Sequence, residues 1–434
     1  MTPAECEQNS TTATGQLPSV GVPWMTLGLP ILAAALIFFF SPNFRVTGTL
    51  RTAPLGGDFL QEWIGATVLS GEQASKLYER QYVDALQHDP QVVGFAWPET
   101  SYFPMVYPPF YYSLLRPLAG LEYPTASKLW LVLSAVAFSI VGWLVYRFYP
   151  ASRDYIFAYI LAAVLFAPFL NSLVMGQKSV FLLLILLGAY LLLRCQRPFI
   201  AGLVFGLIAF KPHLGLVIGL AMLAKRQWSF AAGAVSVVGA FVTYSCLFQG
   251  ELWGDYLHVV SQMDNYLQTH GYQLEDAHSL WGAVTLGFHS QPLWFSKLST
   301  VVLSLLVVCL LWRAIGETVA LNSDAFARQF SAMIIATVLL SPHFYGYDLT
   351  ILLLPFLLIL STTNLVRWRK MRSERVIVIL VLVCFGLSGA FSEIAGSTHV
   401  QSSTVLLIAL LLFLARVRSD DCRAIEQAGE NSCD

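Results

Sequence analysis

Charge is what this sequence has least of. Only 12% of its 434 residues are Asp, Glu, Lys or Arg and 56% are hydrophobic, whereas soluble domains carry about a quarter charged residues. So few charges cannot cover a soluble core, and apolar runs long enough for ~30 Å of hydrocarbon recur from end to end. The net charge of −1 removes any global electrostatic case for nucleic acid. No Lys or Arg occurs in the first 23 residues, which hold Glu5 and Glu7. The positive n-region of a cleaved signal peptide is therefore missing, and the run 24–41 is expected to persist as a helix. The cysteines, Cys6, Cys195, Cys246, Cys309, Cys384, Cys422 and Cys433, have no metal-type spacing, so neither a disulfide framework nor a metal site is expected. HExxH, GxGxxG, P-loop and GxSxG patterns are absent too, which excludes the zinc protease, dinucleotide, nucleotide and serine hydrolase signatures.

What is present is a series of apolar runs near 24–41, 126–146, 155–172, 179–193, 199–210, 213–224, 228–248, 293–312, 329–342, 349–363, 376–392 and 401–415. They lack the period-two alternation of barrel strands. The expectation is an all-α polytopic membrane protein of about twelve transmembrane helices. With the N-terminus in the cytoplasm, the cytoplasmic loops hold sixteen of the 25 Lys and Arg, including the cluster from Arg367 to Arg375, as the positive-inside rule asks. Residues 1–23 and 418–434 are then cytoplasmic tails around a domain of 24–417. This alternation requires 199–224 to fold as a hairpin with Lys211-Pro212-His213 at its outer tip. It leaves two outer loops, 42–125 and 249–292. The run 110–121, broken by Arg116-Pro117, reads as an interfacial or re-entrant helix.

Polar residues beside apolar sequence are the candidate site. Asp58 follows Gly56-Gly57 and precedes an amphipathic-looking stretch, Phe59 to Leu69, with Phe59 and Trp63 expected at the headgroup level. Its carboxylate is placed either to cap that helix or to take a proton from an attacking hydroxyl. Lys178, Lys211, His213 and Arg116 are cationic or titratable groups in or next to apolar runs. Such groups are costly unless they face a cavity or partner, or snorkel to the surface. They suit a phosphate leaving group, on which negative charge grows as its bond to carbon breaks. In Ser341 to Asp348, His343 and Asp348 offer contacts to sugar hydroxyls or phosphate, and Tyr345 and Tyr347 offer rings to stack on a sugar; an aromatic-belt turn is the plain alternative. Tyr107 and Gln177 join this set as sugar or acceptor contacts. His278, in Asp276 to Gly282, does so as well unless its loop is simply solvated.

At these residues the chain resembles glycosyltransferase family 87, membrane enzymes of bacteria with the C-type glycosyltransferase fold. The likeness runs through Gly57-Asp58-Phe59, Trp63, Gly71, Leu77-Tyr78, Tyr107-Pro108-Pro109, Pro117-Leu118, Gly176-Gln177, Lys211-Pro212, Ser279-Leu280, Gly282, Ser341-Pro342-His343 and Tyr347-Asp348. It departs at Ala277-His278, where the family often has Asn-Gln. The resemblance implies transfer of a hexose, typically mannose, from a polyprenyl phosphate carrier to a lipid or glycan acceptor. The reaction would take place on the outer face of the bacterial inner membrane, by one inverting displacement with Asp58 as base. It implies no nucleotide sugar, cofactor or essential metal. A lipid or sugar transporter is the alternative from another class.

Overall fold

The computed structural model describes residues 57–94, 102–149, 163–263, 273–362 and 372–430. The expected helix 24–41, the tail 1–23 and most of the basic cluster 367–375 lie outside them. Among the described residues there are helices and no strand; one isolated bridge joins Ala277 to Tyr345.

The first outer segment forms α1 (Phe59–Ser70), α2 (Arg80–His88) and α3 (Pro109–Ala119) before α4 (Tyr123–Phe148). Then come α5 (Ala167–Met175), α6 (Ser179–Arg194), α7 (Pro198–Gly206), α8 (Pro212–Ala224) and α9 (Trp228–Gln249). The second half holds α10 (Leu252–Ser261), α11 (Leu280–Gly287), α12 (Leu293–Ile315), α13 (Asp324–Leu340), α14 (Leu353–Thr362), α15 (Arg372–Gly386), α16 (Phe391–Thr398) and α17 (Ser402–Glu430). Helix α17 continues past 417, into the segment that the sequence predicts as a tail.

Three described helices, α4, α9 and α12, are long and apolar enough to cross a membrane, and α15 with α16, bent by 88°, form a fourth candidate. By length and composition, the described residues thus supply three or four candidate crossings of the twelve expected. The 16 residues of α6 and the 13 of α8 reach only about 24 and 20 Å, short of ~30 Å of hydrocarbon. An apolar run in sequence does not distinguish a helix facing lipid from one enclosed by other helices. Here α13 is buried along nearly its whole length, while α9 and α12 present Val235, Leu247, Val301 and Leu305 outward. The apolar exterior and packed centre suit a bundle set in lipid.

Chain reversal at Lys211-Pro212-His213 is explicit. A Cβ on Gly219 would lie 3.9 Å from Phe205 Cε1, although a continuous helix would hold these positions about 21 Å apart. Beside this hairpin, α7 and α9 meet backbone to backbone: a Cβ on Gly202 would fall 2.0 Å from the Phe230 carbonyl oxygen, and one on Gly233 would fall 2.2 Å from that of Phe199.

The structure corrects one local expectation. Rather than lying amphipathically at the surface, α1 is buried on almost every face. Phe59 stacks on Trp130 with ring centroids 4.8 Å apart, and Trp63 Nε1 donates to the Leu121 carbonyl at 3.0 Å. The two aromatics anchor α1 against other helices of the protein.

Candidate active site

The site grows from the end of α5. Gly176, at φ 69°, takes the left-handed conformation that glycine adopts without a Cβ penalty. It closes a Schellman turn in which Gln177 N–H donates to the Ser172 carbonyl at 2.8 Å and Gly176 N–H to that of Leu173 at 3.2 Å. Trp130 Nε1 donates to the Gly176 carbonyl at 2.7 Å, and Asp58 N–H donates to that of Met175 at 3.0 Å. The turn is thereby tied to α4 on one side and to the head of α1 on the other.

Three consecutive residues after this glycine each meet a carboxylate. Gln177 Nε2 donates to Asp58 Oδ2 at 2.6 Å, Lys178 Nζ to Glu62 Oε1, and Ser179 Oγ to Asp348 Oδ1 at 3.1 Å. Lys211, at the joint between α7 and α8, reaches the same Asp348 oxygen with its Nζ at 2.8 Å. Segments far apart in sequence are thus drawn to one place.

Asp58 occupies the N-cap position of α1 but makes no side-chain cap bond; the described oxygen contact is the Gln177 amide, and the residue is half-buried. Glu62 and Lys178 are enclosed, at 1% and 2% exposure, and the ammonium sits 4.1 Å from the centre of the Tyr107 ring. The Tyr107 phenol lies in the combined field of Lys211, Glu62, Asp348 and Asp58. Burial pushes it well above its ordinary value, opposed by Lys211, so it stays a neutral hydroxyl.

Lys211 is also 5.7 Å from the Tyr347 ring centre. His213 feels the charges of Lys211, Asp348 and His343, which places these groups at one edge of the cluster. Tyr345 and Tyr347 lie with ring centroids 6.0 Å apart on the same turn. That turn is held by the second outer segment, since His278 N–H donates to the Phe344 carbonyl at 2.8 Å.

The structure therefore gathers Asp58, Tyr107, Gln177, Lys178, Lys211, His213, His343, Tyr345, Tyr347 and Asp348 around one region, with different tasks from those the sequence suggests for some. Gln177 and Asp348 hold protein groups, and Lys178 and Lys211 are each matched to a carboxylate. His278 stands behind the turn, 1% exposed, with its Nδ1 2.7 Å from Ser403 Oγ. Arg116 does not join the cluster. It contacts Ser70 Oγ at 3.3 Å, at the far end of α1, which separates it from Asp58 by about 18 Å of helix. Glu62 and Ser179 are the partners that sequence reasoning misses. Glu62 is the sole charged residue in Phe59–Ser70 and falls one turn after Asp58, which is the signal that marks it.

Chemically, a half-buried carboxylate oriented by an amide borders two neutralised ion pairs, a neutral phenol and an edge of two histidines, His213 and His343. That set can accept a proton on one side and support growing negative charge on the other. No curated protein and no solved structure matches the chain. The sequence model of glycosyltransferase family 87 matches residues 105–342, more than half of the 434, a span that contains Tyr107, Gln177, Lys178 and Lys211. With that span and its apolar helical bundle, the chain belongs to glycosyltransferase family 87 and is a membrane glycosyltransferase.

Proposed function

We propose that the protein transfers a hexose, with mannose the favoured sugar, from a polyprenyl phosphate carrier to a lipid or glycan acceptor at the outer face of the membrane. The acceptor hydroxyl oxygen attacks the anomeric carbon and passes its proton to the Asp58 carboxylate. The bond from that carbon to the carrier phosphate breaks with its electron pair staying on the phosphate oxygen. One displacement of this kind inverts the anomeric centre. Lys211, which has two further N–H donors beyond the one given to Asp348, together with His213 and His343, would face the departing phosphate. Tyr345 and Tyr347 would offer ring faces to the sugar.

The observation that carries this reading is the state of Asp58: at the cap position of α1 yet not capping it, and oriented by Gln177 beside the Lys211 edge. A lipid-borne donor also fits a bundle whose exterior is apolar, because the tail stays in hydrocarbon while the sugar reaches the site. The test is a transfer assay with synthetic prenyl phosphate hexoses, in which products are identified by mass and anomeric configuration. Purified Asp58→Asn should fold and lose transfer by at least about a hundredfold. Wild-type turnover in that variant, or retained configuration in the product, would overturn the assignment. Family membership favours this reading over a transporter.

A further inference from the structure

Arg116, the cation that the catalytic cluster leaves out, lines a cleft of about 450 Å³ between α1, α3 and the end of α9. Glu251 lines the same cleft, and Leu69, Tyr244, Phe248 and Leu252 supply apolar wall. Among the described residues neither Arg116 nor Glu251 has an ion-pair partner. Two opposite charges thus share one cleft without being joined to each other.

The location narrows what they meet. Helix α9 is long and apolar enough to cross a membrane, and its final turns leave Leu247 and Phe248 74% and 72% exposed. The cleft opens where that helix ends; the end of a helix that crosses a membrane is where hydrocarbon gives way to headgroups and where aromatic rings gather. An occupant must present an anion to Arg116, a cation to Glu251 and apolar chains to the outer face of α9. An anionic lipid would satisfy Arg116 but bring its charge towards Glu251, whereas a quaternary ammonium cannot donate a hydrogen bond to the carboxylate.

From this charge pattern we infer a structural lipid site for a zwitterionic aminophospholipid. Its phosphodiester sits on the Arg116 guanidinium, its primary ammonium on Glu251, and an acyl chain runs along Tyr244 and Phe248. The site is independent of the transfer chemistry, being a helix length away from Asp58. Its occupant braces α3 against the end of α9, where Gln249 already donates to Ser113.

The experiment is native mass spectrometry of the purified full-length protein offered equimolar phosphatidylethanolamine, phosphatidylcholine and phosphatidylglycerol. The wild type should retain phosphatidylethanolamine about fivefold over either competitor. Arg116→Gln should reduce retention of both phosphatidylethanolamine and phosphatidylglycerol. Glu251→Gln should abolish the preference for phosphatidylethanolamine over phosphatidylglycerol, and Asp58→Asn should leave the whole pattern intact. Both Arg116 and Glu251 are exposed, so the fold does not depend on them. Equal retention of the three lipids, a preference for phosphatidylglycerol, or a pattern indifferent to both changes would overturn the site. Sensitivity to Asp58→Asn alone would assign the lipid to the transfer site instead, and water-soluble glycerophosphoethanolamine that competes as well as the intact lipid would refute the role of the chains.

Discussion

Gln177 Nε2 lies 2.6 Å from Asp58 Oδ2, a bond across 119 positions of sequence that fixes the carboxylate while leaving it half-buried. An amide orients without adding charge, so it aims Asp58 without neutralising it. Replacing Gln177 by Ala should therefore lower kcat by about ten- to a hundredfold and leave the KM for donor nearly unchanged. Gln177→Glu sets a second carboxylate against the first, and two adjacent carboxylates tend to hold one proton between them. The acidic limb of its rate profile should move to higher pH. Steady-state kinetics across pH checks both; a Gln177→Ala variant changed only in donor KM would contradict the orienting role.

The Glu62–Lys178 pair concerns stability more than chemistry. Both groups are almost fully enclosed, and a buried pair broken on one side leaves an uncompensated charge that costs about 3–5 kcal/mol. Either Glu62→Gln or Lys178→Met alone should lower the melting temperature in detergent markedly. The double variant should recover most of the loss, because removing both charges also removes their desolvation cost. A double variant as unstable as the sum of the singles would show that the two charges are not coupled.

Lys211 separates from Lys178 in a donor titration. Its partner Asp348 also accepts from Ser179, so the carboxylate stays hydrogen-bonded when the ammonium is gone. Without the ammonium proposed to face the departing phosphate, Lys211→Ala should reduce kcat/KM by about a hundredfold. Activity surviving at wild-type level in folded Lys211→Ala would remove it from the transfer step.

How much of this can be read from the sequence differs by kind of feature. Residue type and apolar context are enough to single out Asp58, Lys178, Lys211 and Asp348, because charge beside hydrocarbon-length runs is conspicuous, while the uncharged Gln177 is marked by the family likeness at Gly176-Gln177. Their pairing is not legible: Lys178 and Glu62 are 116 positions apart and Lys211 and Asp348 are 137 apart, so groups that neutralise one another look like separate ligand contacts. Glu62 hides inside a stretch that reads as amphipathic, since the pattern of α1 does not reveal that other helices cover its polar side as well. Nor does hydropathy tell a crossing helix from a short enclosed one: three or four of the expected crossings are long and apolar enough among the described residues. The reversal between α7 and α8 is legible from the alternation of basic loops, whereas the enclosure of α13 by its neighbours is visible only in the packing.

Acid should weaken the turn that carries Tyr345 and Tyr347. Burial pushes His278 down to about 4, against smaller opposing effects of Asp276 and Gln401, from an ordinary value near 6.5. The folded protein keeps this imidazole neutral while the unfolded chain takes up a proton, so its contribution is complete above about pH 6.5 and is lost as pH falls towards 4. The loss approaches about 3 kcal/mol at the lower end. Melting curves between pH 7 and 4.5 should fall less steeply for His278→Asn than for the wild type. Parallel slopes would show that other groups govern acid stability.

Close approach of α7 and α9 gives the most severe expected outcome. Gly202 faces the Phe230 carbonyl and Gly233 faces that of Phe199, so each helix relies on a glycine of its own where the other's backbone passes. Between apolar helices in lipid there is little hydrophobic drive to associate, and close van der Waals packing through small residues takes its place. A single added methyl group at either glycine meets backbone oxygen, which cannot rotate away as a side chain could. Gly202→Ala should therefore force the helices apart, lower the melting temperature by several degrees and reduce the yield of folded protein. Gly239, on the same α9 but with nothing within 4 Å of an added Cβ, supplies the control: Gly239→Ala should be neutral or slightly stabilising, since alanine favours helix by about 1 kcal/mol over glycine. Equal melting temperatures for the two alanine variants would mean that α7 and α9 pack more loosely than their geometry requires.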